Sequence, residues 1–117
     1  MNIQIYFKKS NPDVLKAERF FKERRIPYQM VDLKKHHPGE KEIALFARGR
    51  DIKELVDRST PKAMEKPIAH FTTESLILSG LLEDPTALVT PIVRNGNKVT
   101  IGVDESTWKT WCENTNG

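Results

Sequence analysis

The side chains of this sequence that could do chemistry fall in three places. The stretch Lys8-Lys9-Ser10-Asn11-Pro12-Asp13 joins two cations to small polar residues in what reads as a strand-to-helix turn. A helix start leaves N–H groups without intrahelical partners, and with the lysines these suit a small anion or an acidic side chain. The competing reading is a self-capped helix end with solvated lysines. Cys112 is the only cysteine. As a thiolate it would be a nucleophile, but beside Trp111 in a late helix it reads as a small apolar group. His36 and His37 are adjacent in a loop with no third ligand nearby in sequence. A metal site needs three or four placed ligands, so none is expected.

The elements that position these residues follow from periodicity and capping signals. Ile3, Ile5 and Phe7 alternate with Gln4 and Tyr6, the pattern of a strand. Ser10 and Asp13 form an S-x-x-D capping pattern, and Pro12 suits a first helical turn. Val14, Ala17 and Phe21 then line one face of an amphipathic helix that runs to about Arg25. "PYQMVDL" reads as a second strand. Helices are expected over about 39–48, over "DIKELVDRS" and over "TTESLILSGLLEDP", with the proline-punctuated "TPKAMEKPI" as a connector. Asn95-Gly96 between apolar runs predicts a β-hairpin, and Asp104 predicts the cap of a final helix. That helix carries Trp108 and Trp111, one expected on the sheet and the other free to anchor a partner.

Composition bounds the function classes. The chain has 117 residues, 38% hydrophobic and 30% charged, which suits one soluble globular domain. No apolar run reaches the ~20 residues of a membrane span, and the strand-like opening does not read as a secretion signal. One cysteine excludes an internal disulfide and a multi-cysteine zinc site, and a cytoplasmic location is the natural expectation. The net charge of +3 is mild. Without a basic–aromatic array, nucleic acid is not the expected partner.

Along nearly its full length the sequence resembles the arsenate reductase-like branch of the thioredoxin superfamily. That branch holds glutaredoxin-coupled arsenate reductases and Spx-type transcription regulators. The resemblance rests on "IQIYFKKSNPDVLKAERFFKERRIPYQMVDL", "DRSTPKAMEK", "LVTPIVRNGNKVTIG" and the helix after it. It implies one α/β thioredoxin-like domain over 1–117, with a mixed four-stranded sheet, flanking helices and a helical insertion over about 38–88. It also implies a cis bond between Thr90 and Pro91, where the backbone would face an extended ligand such as glutathione. The family cysteine falls on Asn11, and the second cysteine of Spx-type members falls on Val14. Of the three arginines of arsenate reductases, Arg58 matches the first, while Thr90 and Val103 replace the others.

Oxyanion reduction through a thiol adduct needs a thiolate, and an asparagine amide cannot attack. Arsenate reductase activity is therefore not expected, and no catalytic residue is assigned. The candidate pocket comprises Lys8, Lys9, Ser10 and Asn11 from the turn, Arg58 folded over it, and Thr90 and Pro91. Two functions compete. One is a redox-inactive module that binds a protein or anion. The Spx resemblance makes RNA polymerase the partner to consider, with Gly49, Arg50 and Arg58 on the docking face. The other is a glutathione-dependent reductase or transferase, in which Ser10, Asn11 and Thr90 would polarise the thiol of the cosubstrate.

Overall fold

The computed structural model describes residues 1–115, and its first two strands run parallel. β1 (Ile3–Phe7) lies beside β2 (Tyr28–Asp32), with Ile3 opposite Tyr28 and Phe7 opposite Asp32. α1 (Pro12–Glu23) connects them and buries Val14, Ala17, Phe20 and Phe21. It stops before Pro27 for a local reason. Arg25 adopts φ 57°, its N–H reaches the Lys22 carbonyl at 3.1 Å, and the Ile26 N–H reaches the Phe21 carbonyl at 2.9 Å. This is the paired closure of a Schellman motif, built here on an arginine where glycine is usual.

β3 (Ile92–Asn95) and β4 (Lys98–Ile101) form the hairpin. Its two central residues are Gly96 and Asn97, one position later than the Asn-Gly reading placed them. Gly96 has φ 61°, and Asn97 is not in the left-handed region, which is the glycine-first arrangement of a type II′ turn. The sheet order is β2-β1-β3-β4, with β1 antiparallel to β3. This mixed sheet, with helices on both faces, is a thioredoxin-like fold. The Thr90–Pro91 bond is cis.

Between β2 and β3 the chain forms α2 (Glu40–Phe46), a 3-10 turn at Ile52–Leu55, and α3 (Pro61–Glu65). Then come a 3-10 turn at Pro67–His70, α4 (Glu74–Glu83) and a 3-10 turn at Pro85–Ala87. The expected connector is thus largely helical. Pro61, Pro67 and Pro85 each open a short helical turn, where a missing N–H costs nothing. They act as starters rather than breakers.

Each face of the sheet has its own core. Tyr6 and Ile92 pack under the insertion with Leu33, Ile43, Phe46, Leu55, Ile77 and Leu81. Ile3, Ile5 and Val93 pack on the other face with Phe20, Phe21, Trp108 and Trp111. The two tryptophans belong to α5 (Glu105–Thr115), whose start is capped by Asp104 accepting from the Thr107 N–H at 3.2 Å. Both are buried, so Trp111 is not an exposed anchor; residues three apart share a helix face, and here both enter the core that the sheet shares with α1. Among the described residues no helix is long and apolar enough to cross a membrane.

Candidate functional site

Where β1 ends and α1 begins, the chain borders an open cleft of about 970 Å³. The opposite wall comes from the segment 57–66, and the base from Thr86 through Thr90. Lys8, Lys9, Asn11, Arg58 and Thr90 line this cleft, so five of the seven expected residues share one site. Ser10 is exposed and Pro91 buried, and neither lines it.

The turn is closed by its own residues. Asn11, not Ser10, is the N-cap: its Oδ1 accepts from the Val14 N–H at 2.8 Å, and its carbonyl accepts from the Leu15 N–H at 3.0 Å. Pro12 has no N–H to offer. Of the first four residues of α1, only Asp13 keeps an N–H without a partner, and it carries its own carboxylate beside it. A small anion therefore finds one free donor at this helix start, not the several that the sequence suggests.

Lys8 is likewise occupied. Its Nζ donates to Asp57 Oδ2 at 2.6 Å and to the Thr86 and Leu88 carbonyls, both at 2.9 Å. All three ammonium protons are used, and the side chain ties the end of β1 to the middle of the insertion at Asp57 and to its end at Thr86 and Leu88. Arg58 is exposed on the cleft but partly tied down, donating from Nε to the Ala69 carbonyl at 3.0 Å and from Nη1 to the Lys53 carbonyl at 2.8 Å, which leaves Nη2 toward the cleft. Arg50, expected on a docking face, sets its guanidinium on the Phe46 and Val99 carbonyls and bridges α2 to β4.

The free charge of the cleft lies elsewhere. Lys9, Lys34 and Lys62 line it, are exposed, and their ammonium groups have no hydrogen-bond or ion-pair partner among the described residues. Lys34 and Lys62 were not among the expected residues. Lys34 could have been inferred: it follows β2, which runs parallel to β1, so it must emerge at the same end of the sheet as Lys9. Lys62 could not, because its place depends on how the insertion folds back. Thr90 adds a backbone N–H and carbonyl that have no partner among the described residues.

Burial pushes the Asp57 carboxyl up, but hydrogen bonds from Lys8 and Ser59, with the Lys8 charge, outweigh it and lower the pKa to about 2 from 3.8. A carboxylate held below its unfolded value stabilises the fold above that value, and the contribution fades as pH falls through the folded pKa. Stability should therefore fall by about 2 kcal/mol between about pH 4 and pH 2 from this group. Its side chain is 14% exposed, so solvent screens the pair little. Urea unfolding across that range checks this: Asp57→Asn should be less stable at neutral pH and lose less on acidification.

The remaining candidates do not enter the cleft. Cys112 is half-buried against the α1–α5 core. His36 Nε2 sits 3.1 Å from Glu42 Oε1, and Glu42 also accepts from the Tyr6 hydroxyl at 2.9 Å. Among the described residues no group of three histidine, cysteine or acidic side chains is placed to hold a metal.

No family model and no curated protein matches the sequence. Solved structures do. SACOL0876 from Staphylococcus aureus is 25% identical with a TM-score of 0.74, over 92% of this chain and 96% of its own. An arsenate reductase (ArsC) related protein from Brucella melitensis is 18% identical with a TM-score of 0.69, over 95% and 94%. The arsenate reductase from Vibrio cholerae is 12% identical with a TM-score of 0.73, over 86% and 89%. The likeness spans almost the whole of each chain and establishes the shared fold.

Proposed function

We propose that this chain, with the fold of arsenate reductase-related proteins, is a redox-inactive binding module whose cleft receives acidic side chains of a protein partner. One observation carries the reading. The position at which the resemblance expects the nucleophilic thiol is Asn11, and its amide oxygen is engaged in capping α1. With Lys8 turned onto a carboxylate and two carbonyls, the unpaired lysines Lys9, Lys34 and Lys62, beside the exposed edge of Arg58, are what a ligand meets. Three dispersed ammonium groups suit several carboxylates on an extended segment better than one small anion. Spx-type regulators, which bind RNA polymerase rather than reduce a substrate, are the precedent, and RNA polymerase is the first partner to test.

Two measurements test it. With arsenate, glutaredoxin and glutathione, turnover should not exceed a no-enzyme blank, and Asn11→Cys should not restore it, because Thr90 and Val103 still stand at arginine positions. A fluorescently labelled oligoglutamate should bind, and the triple variant Lys9→Ala, Lys34→Ala, Lys62→Ala should weaken it at least about tenfold while leaving stability within about 0.5 kcal/mol. Reductase turnover, or peptide binding unchanged in the triple variant, would overturn the proposal. The unpartnered backbone of Thr90 favours a second reading, in which glutathione binds along it as cosubstrate. Saturable glutathione shifts at the amides of residues 9–14 and 90–92 would select that reading.

A further inference from the structure

The hairpin turn and α2 enclose a second groove of about 500 Å³ at the other end of the sheet. Asn95 pairs with Ile3, so the turn lies by the start of β1, while Lys8 and Asn11 lie beyond its end. Lys41 and Arg48 line the groove from α2 and the residues just after it, and Arg94 lines it from β3. Lys41, Ala44, Leu45 and Arg48 recur at helical spacing, so they share one face.

These cations lack counter-ions. The ion pairs among the described residues are Lys8–Asp57, His36–Glu42 and Lys66–Asp84, and none involves Lys41, Arg48 or Arg94. Glu42 is the carboxylate of the groove, and it already accepts from Tyr6 and His36. Arg94 is half-buried; its Nε donates to the Gly96 carbonyl at 2.8 Å and its Nη1 stands 3.5 Å from the Tyr6 hydroxyl. The rest of that guanidinium has no partner. A half-buried cation without a counter-ion is costly, and an anion from outside would relieve it.

We propose that this groove is a second binding site and that it takes a small phosphomonoester, held at its phosphate by Arg48 and Arg94. Three cations against one carboxylate leave two positive charges, which match a phosphomonoester dianion better than a carboxylate. The free guanidinium fork of Arg48, with the unpartnered Nη2 edge of Arg94, suits the tetrahedral set of phosphate oxygens. Lys41 and Asn97 flank the head group, and Ala44 with Leu45 offers an apolar floor for the organic part. The inference does not depend on how the lysine-lined cleft is used.

The test is an NMR titration of the full chain with phenyl phosphate, and with benzoate in parallel. Phenyl phosphate should give saturable shifts at the amides of Arg48, Arg94 and Asn97 and at the Arg94 Nε signal, leaving Lys9, Asn11 and Thr90 unmoved. Benzoate should bind about tenfold more weakly. Arg48→Gln should weaken phenyl phosphate about tenfold; this exposed side chain makes no bond in the fold, so folding is not at stake. Failure to saturate, shifts confined to the lysine cleft, or unchanged affinity in Arg48→Gln combined with Lys41→Gln would overturn the proposal.

Discussion

Lys8→Met should destabilise the protein by about 3 kcal/mol, the cost of removing one partner from a buried ion pair. The Lys8 and Asp57 side chains are only 15% and 14% exposed, and among the described residues no other cation is paired with Asp57. The variant would strand that carboxylate and leave the Thr86 and Leu88 carbonyls without their ammonium donor. Combining it with Asp57→Leu should recover only part of the loss, since the stranded carboxylate is gone but the Thr86 and Leu88 carbonyls and the Ser59 donors stay without their partners. Lys8→Arg should not rescue, because a planar fork cannot direct donors to three differently placed oxygens as an ammonium can. Urea unfolding of the four proteins measures this. A loss below about 0.5 kcal/mol for Lys8→Met would mean that Lys8 is a solvated surface lysine.

Trp108→Ala should cost about 4 kcal/mol, the range of a large aromatic deleted from a closed core. Trp108 is fully buried, with ring centroids 5.2 Å from Phe20 and 5.4 Å from Phe21. Its Nε1 donates to the buried Thr100 hydroxyl at 2.8 Å, which ties α5 to β4. Trp108→Phe separates the two contributions. It keeps most of the apolar body but deprives the Thr100 oxygen of its donor, and about 2 kcal/mol should be lost. Adding Thr100→Val to Trp108→Phe should return part of that loss, because neither partner then needs a hydrogen bond. Equal losses for Trp108→Phe and Trp108→Ala would assign the whole effect to the hydrogen bond.

The strands could be read from the sequence because their apolar residues alternate with the period of the sheet and because glycine marks the hairpin. Ile3 with Ile5, and Gly96, carry that information locally. The insertion was harder. Pro61, Pro67 and Pro85 look identical in sequence whether they end a helix or open one, and only the chain after them decides. The candidate site was read as a place but not as a set of roles. Lys8 and Lys9 are neighbours of the same type, yet one is bonded to a carboxylate and two carbonyls from distant segments while the other is free. Nothing local distinguishes them. Their roles are set by Asp57, Thr86 and Leu88, which reach Lys8 only after the insertion has folded. The same holds for Trp111, whose burial depends on how α5 lies on the sheet.

The sheet order has a kinetic consequence. β1 is central, and its antiparallel partner begins only after the entire insertion, with Ile3 paired to Asn95. The β1–α1–β2 unit and the hairpin are each local and can form early. Joining them closes a loop of roughly ninety residues, an entropic cost of about 4 kcal/mol beyond a constant if that loop were flexible. The barrier to folding should therefore lie at the docking of β3 against β1, and prior ordering of the insertion should lower it by shortening the effective loop. The Lys8 contacts to Asp57, Thr86 and Leu88 join segments on both sides of that closure, so they should form after it. Weakening them would then accelerate unfolding far more than it slows refolding.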